Sequence, residues 1–170
     1  MSVVDASPLI YLGKTDLLYL LKSYRPVVIA PSVYQEVVEK GSERGFVDAE
    51  RVEAAVNDFI EVKSCKRERA ERMMQESQEH GYGLGNGEIE SIALAAEREE
   101  CLFSDDEDAK RFARSCGQET RGTIYLLVKA CSTGVIERER GKNALHLMME
   151  KGFWLSPDVV SLFYEKLDEL

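Results

Sequence analysis

The sequence predicts an α/β protein: a three-layer α/β/α sandwich around a central, mostly parallel sheet. Two observations predict it. Short apolar segments, Val3-Val4, Val27-Val28-Ile29-Ala30 and Cys101-Leu102-Phe103, alternate with longer segments of helical periodicity. Strands alternating with helices give a parallel sheet covered on both faces. In addition, Val3-Val4 stops at Asp5, and Cys101-Leu102-Phe103-Ser104 stops at Asp105-Asp106. The carboxyl ends of strands are where open α/β sheets place their ligands.

The elements follow in chain order. Val3 and Val4 form a first strand, and Asp5-Ala6-Ser7-Pro8 leads into a helix through Leu9-Ile10-Tyr11-Leu12, with Ser7 able to cap and Pro8 tolerated at its first turn. Read alone, Asp5 is equally a helix cap or a site residue. Thr15 to Lys22 reads as a short helix capped by Thr15, broken at Arg25-Pro26. Val27 to Ala30 is a strand buried on both faces, ended by Pro31. Ser32 followed by Gln35 is a capping-box pattern, so a helix is expected from Val33 to Lys40, with Glu36 about one turn in.

Gly41 to Gly45 reads as a loop, Val47 to Asn57 as a helix and Phe59-Ile60-Glu61-Val62 as a short strand. Residues 64–80 mix Lys66, Arg67, Arg69 and Arg72 with Glu68, Glu71, Glu76 and Glu79, which fits a solvated helix laced by i,i+4 pairs or a basic edge for a phosphate backbone. The glycine-rich stretch Gly81 to Gly87 follows a polar helix, and no Lys-Ser or Lys-Thr comes after it, so it is not a P-loop. Glu88 to Glu97 is a helix with Ile89, Ile92, Ala93 and Ala96 on one face, and Glu88 in the first turn suits the helix dipole. A strand at Cys101 to Ser104, a helix from Glu107 to Ser115, a turn at Thr120 to Thr123 and an apolar helix to Ser132 follow. Two amphipathic helices close the chain, Glu137 to Lys151 and Pro157 to Leu170, the second capped by Ser156.

Composition bounds the function. At 170 residues, 44% hydrophobic and 31% charged, the chain reads as a single soluble domain over 1–170, with the helices from about 137 packing on its core. No apolar run approaches the roughly 18 residues of a membrane span, and residues 1–13 lack a basic leader; a cytoplasmic protein is expected, with no membrane partner. Cys65, Cys101, Cys116 and Cys131 form no CxxC pair, so neither zinc nor redox chemistry is indicated. With His80 and His146 the only histidines, a Ser-His-Asp triad is hard to build, and carboxylates are left to carry any catalysis. The net charge of −9 counts against a simple nucleic-acid-binding module. It counts less against an enzyme whose acids hold divalent cations, since bound ions reverse the local field.

Parallel strands share a carboxyl edge, and the helices that follow them begin there. Asp5, Glu36, Glu88 and Asp105/Asp106 should therefore converge on one crevice. Crowded carboxylates raise one another's pKa. A hard cation such as Mg²⁺ or Mn²⁺ resolves the repulsion, and can activate water and orient a phosphodiester.

This pattern resembles the PIN domain family of metal-dependent ribonucleases. Asp5 with Ser7, Glu36 in Val33-Tyr34-Gln35-Glu36-Val37-Val38, Glu88 in Gly87-Glu88-Ile89-Glu90-Ser91-Ile92-Ala93-Leu94-Ala95, and Ser104 with Asp106 match its motifs in order. The Gly122-Thr123 turn and Gly152-Phe153-Trp154-Leu155-Ser156-Pro157 resemble one of its branches. Glu88 stands where many members have Asp. The resemblance implies hydrolysis of single-stranded RNA with Mg²⁺ or Mn²⁺. Asp5, Glu36, Glu88 and Asp106 are then catalytic, and Asp5, Glu88, Asp106 and Asp105 are metal ligands. It also implies a toxin paired with an antitoxin, and a homodimer. Ser7, Ser104, Arg121 and Thr123 are candidates for supporting or substrate contacts. Glu90 is ranked lower because it points away from Glu88. Trp154 and Tyr164 are expected in the core or an interface. Two alternatives stand beside this reading: a non-catalytic binding or assembly module, and an aspartate-nucleophile phosphatase of the haloacid dehalogenase type. The latter needs a general acid where the chain has Ser7.

Overall fold

Five short strands form one sheet in the order β3-β2-β1-β4-β5, and every adjacent pair is parallel. The computed structural model describes residues 2–170. The strands are β1 (Ser2–Val4), β2 (Val27–Ile29), β3 (Ile60–Val62), β4 (Cys101–Phe103) and β5 (Thr120–Arg121). The central three are apolar because both their faces are covered, as parallel strands require. This is the α/β sandwich expected from the alternation of elements.

The pleat divides the core in two. Val4, Ile29 and Phe103 point into one half, together with the inner residues of α1 (Ala6–Lys14), α4 (Val47–Asp58) and α8 (Thr123–Ser132). Val3, Val28 and Leu102 point into the other, against α6 (Asn86–Arg98), α7 (Glu107–Ser115) and Met73 of α5 (Arg67–Glu79). The period of two in a strand makes this division. The last helices, α9 (Arg138–Glu150) and α10 (Pro157–Asp168), contribute Leu145, Met148, Phe163 and Leu167 to the first half. Among the described residues, no helix is long and apolar enough to cross a membrane.

Several local expectations are corrected. Thr15 does not open a helix; it closes α1, and its hydroxyl donates to the Tyr11 and Leu12 carbonyls at 2.9 and 3.3 Å. A 3-10 segment, Leu18–Tyr24, follows it. The Ser32–Gln35 capping box is not formed. The helix begins earlier, as α2 (Pro31–Tyr34), continues through a π-helical stretch Gln35–Glu39, and ends as α3 (Lys40–Glu43), beyond the loop expected at Gly41. Gly41 permits that extension, since a Cβ there would lie 2.8 Å from the Ala49 Cβ. Ser7 lies inside α1 rather than at its cap, which is Asp5. Ser156 does cap α10, accepting from the Val159 N–H at 3.4 Å.

Candidate active site

The site is built on the carboxyl edge of β1 and β4. Val4 pairs with Phe103, so Asp5 and Ser104 are the first residues beyond the two strand ends. The Asp5 N–H still donates to the Phe103 carbonyl at 2.9 Å, which holds Asp5 in register. Carrying the alternation one residue past the strands puts Asp5 and Ser104 on the α6 side of the sheet, with Val3 and Leu102. The Ser104 hydroxyl donates to Asp5 Oδ2 at 2.9 Å, and the Ser91 hydroxyl of α6 approaches Oδ1 at 3.5 Å. Asp5 is 3% exposed, and both serines are fully buried.

Burial is the main force pushing the Asp5 carboxyl up, to about 6. The negative charges of Glu88 and Glu36 push the same way, while hydrogen bonds from the Ala6 backbone and the Ser104 hydroxyl only partly offset them. As helix cap, Asp5 makes no side-chain capping bond. Its carboxylate is held by Ser104 and approached by Ser91 instead.

Glu36 and Glu88 come in on neighbouring helices. Glu36 lies on the π-helical stretch after α2 and is exposed; π segments are frequent at functional sites. Gly87 lies under it: a Cβ at Gly87 would meet Glu36 Oε2 at 3.6 Å and Val33 Cγ2 at 3.7 Å. Glu88, the next residue, turns back and accepts from the Gly85 N–H at 3.0 Å, forming the acidic half of a capping box at the start of α6. Glu90 lies apart from these: one of its oxygens accepts from the Ser32 N–H at 3.1 Å, at the start of α2.

The two aspartates after β4 differ sharply. Asp105 is partly buried and accepts from the Thr123 N–H at 2.7 Å, the Thr123 hydroxyl at 2.6 Å and the Ser7 hydroxyl at 3.2 Å. Burial holds its pKa above the ordinary value despite these bonds and the charge of Lys110. The Gly122 turn makes this possible, because a Cβ at Gly122 would stand 2.8 Å from Asp105 Oδ1. Asp106 is exposed and caps α7, accepting from the Ala109 N–H at 2.7 Å. Its backbone N–H donates to the Ser104 hydroxyl at 3.3 Å, so Ser104 links Asp5 to the start of α7.

The expected residues therefore fall into linked groups. Asp5, Glu36 and Glu88 share an electrostatic field, with Ser104 and Ser91 on Asp5. Asp105, Ser7 and Thr123 share a hydrogen-bond network. Arg121, an expected substrate candidate, is paired with Glu119 and stacks over Tyr125, 4.0 Å from the ring centroid. Among the described residues, no three His, Cys, Asp or Glu side chains are already gathered to hold an ion. The donor set nonetheless suits a hard cation: it is all oxygen, and one of its carboxylates is buried beside two others. Ser91 was missed by the sequence reading, although it sits one helical turn from Glu88 on α6.

One comparison decides the family. The family model whose description is PIN domain (DUF3368) matches residues 1–169. The chain belongs to the PIN domain family. No curated protein matches it. The five-stranded parallel sheet of this PIN domain, flanked by helices, is consistent with the PIN fold.

Proposed function

We propose that this PIN domain is a metal-dependent endoribonuclease that hydrolyses phosphodiester bonds of single-stranded RNA with Mg²⁺ or Mn²⁺. The observation that carries the reading is Asp5: a buried carboxylate at the sheet edge whose charged neighbours, Glu88 and Glu36, carry the same sign. Such an arrangement is costly unless the site exists to receive positive charge.

Asp5, Glu88, Asp105 and Asp106 would hold the ion, with Ser104 fixing one oxygen of Asp5 and Thr123 and Ser7 fixing Asp105. When bound, the ion supplies Lewis-acid polarisation of the phosphate and a more acidic water. Glu36, exposed on the π-helical stretch, would accept a proton from an attacking water. Family membership supports the nuclease class; the finer reading is a toxin restrained by an antitoxin, with homodimerisation through the C-terminal helices. An aspartate-nucleophile phosphatase is disfavoured because the Ser7 hydroxyl stands where its general acid is needed and donates to Asp105. A non-catalytic assembly module differs from the nuclease in one measurable respect, namely turnover.

The test is cleavage of single-stranded RNA by partner-free protein in Mn²⁺, wild type against Asp5→Asn. Asp5→Asn is expected to lower the rate by at least about 100-fold. If the metal-loaded wild type leaves every single-stranded RNA intact, the nuclease reading fails and the assembly module replaces it. Calorimetry tests the ligand assignment separately: Mn²⁺ affinity unchanged in Asp5→Asn/Asp106→Asn would refute it.

A further inference from the structure

We propose that the cleft between the Gly152–Ser156 loop and the first turn of α8 is a nucleobase subsite. In it, Trp154 stacks on one base of a single strand lying across the acidic edge. The inference rests on the nuclease reading and adds to it a place where the strand is held.

The cleft encloses about 410 Å³, and its walls include Asp105, Lys110, Tyr125, Phe153, Trp154 and Val159. That volume lies within the range of roughly 300–1,000 Å³ found for small-ligand sites. Asp105 belongs both to this cleft and to the candidate active site, so a base here would sit next to the proposed metal edge.

Trp154, expected in the core or an interface, does not lie in the core of the chain. Its side chain is 83% exposed, whereas the adjacent Phe153 is 6% exposed and packs on Tyr11 with ring centroids 4.5 Å apart. Phe153 anchors the loop, and Trp154 is held out beside the cleft. An indole in that position offers a whole π face, and base–aromatic stacking tolerates any base. Across the cleft, Tyr125 is backed by the Arg121 guanidinium, which leaves a rigid aromatic wall. Lys110, only 15% exposed, has its Nζ paired with Glu107 Oε1, and both side chains line the cleft beside Asp105. An exposed aromatic step beside a carboxylate of the reaction site, with the one lysine of the cleft already paired, fits a stacked base better than it fits a phosphate or a purely apolar partner. The competing occupant is a second copy of the chain, suggested by exposed Val159 and Leu162 on α10.

Trp154 is the only tryptophan in the sequence, so intrinsic emission reads this position alone. Wild type and Asp5→Asn are titrated with a short oligoadenylate in Mg²⁺. Saturable quenching of the emission is expected. By anisotropy of a labelled strand, Trp154→Ala should weaken binding about 5- to 150-fold, the span for loss of one base–aromatic stack, and Trp154→Phe should recover most of it. Emission that stays unchanged at saturating oligonucleotide, or Trp154→Ala binding as tightly as its parent, overturns the subsite. So does a dimer by light scattering that Trp154→Ala dissociates while emission ignores the oligonucleotide. These readouts need no cleavage. A protein that quenches without cutting RNA keeps the subsite and loses the nuclease reading. One that cuts RNA with unquenched Trp154 does the reverse.

Discussion

Removing the charge of Asp5 should stabilise the metal-free protein at neutral pH, although Asp5 is the most deeply placed acid of the site. The Asp5 carboxyl is pushed from its ordinary 3.8 to about 6, first by burial and then by Glu88 and Glu36. The folded state thus binds the Asp5 proton more tightly than the unfolded state. By linkage, its contribution is fully favourable to folding only at low pH and is lost as pH rises from about 4 through about 6. A gap of about two pH units corresponds to about 3 kcal/mol at pH 8. Asn at this position can keep the bond from Ser104, but its new N–H groups need a partner near Ser91. About 1 kcal/mol is allowed for that, leaving a net gain of about 2 kcal/mol. For a chain of this size that is a rise in Tm of about 4–8 °C. The assay is thermal unfolding of wild type and Asp5→Asn in chelator, from pH 4.5 to 8. The difference should be small at pH 4.5, grow through pH 6 and level off above it. A Tm for Asp5→Asn equal to or below wild type at pH 8, or a difference constant across the range, would refute the claim that a repelled, buried carboxylate sits there. Adding Mn²⁺ should then reverse the order. A ligand at 100 times its Kd stabilises the folded state by about 2.7 kcal/mol, and wild type should gain most of this while Asp5→Asn gains little.

Further outcomes follow from single contacts. Gly122→Ala should cost about 1–3 kcal/mol by urea unfolding, because its Cβ would lie 2.8 Å from Asp105 Oδ1. The cost should fall in an Asp105→Ala background, and additivity there would show that the clash is elsewhere. Thr123→Val removes the 2.6 Å bond to Asp105 within a buried site and should destabilise by about 1–3 kcal/mol. Glu88→Gln should keep the bond to the Gly85 N–H and so leave stability within about 0.5 kcal/mol, while Glu88→Ala should lose about 0.5–2 kcal/mol with the cap; calorimetry with Mn²⁺ should show both variants weakened. Phe163→Ala, at a side chain 1% exposed, should cost about 3–5 kcal/mol. A smaller loss would mean that α10 does not complete the core.

The sheet and its helices were legible because β-branched runs and 3.6-residue periodicity are long-lived signals. Val27 to Ala30 could be little but a buried strand, and Ile89, Ile92 and Ala93 define the inner face of α6. The shared edge of parallel strands sets Asp5 beside Ser104 and within the field of Glu88 and Glu36, while among the described residues no three acids are gathered into one cluster. What stayed hidden was decided by contacts between distant segments. The Ser32–Gln35 pattern predicts a capping box, but Ser32 is already one residue inside the helix and its N–H is taken by Glu90, far along the chain. Thr15 has the composition of a cap, yet its hydroxyl reaches back to α1. The π-helical stretch that carries Glu36 has no local sequence signature. The distinct positions of Asp105 and Asp106 were not readable, because Asp105 is taken by Ser7 and Thr123 from distant segments. Exposure of Trp154 was not readable, because a Phe-Trp pair does not say which ring anchors the loop.

The choice of partners around buried Asp5 and partly buried Asp105 bears on the proposed function. Asp5 is held by Ser104 and Ser91, and Asp105 by Ser7 and by the hydroxyl and N–H of Thr123. All of these donors are neutral. An arginine in any of those places would make a stronger bond, and would stabilise the apoprotein by cancelling a buried negative charge. It would also fill the position that a divalent ion needs and hold the carboxylate by a fork that an ion must break. Neutral donors fix the direction of each carboxylate while leaving its charge uncompensated, so the stability forgone in the apoprotein is available as affinity for a cation. The nearest lysine, Lys110, acts on Asp105 through its field while its Nζ is held by Glu107. If the proposed metal site holds, the acidity of the chain, which by itself repels RNA, and the affinity of the site for a cation would be one property. On the proposed nuclease reading, a strand would approach an edge whose charge a bound cation has already reversed.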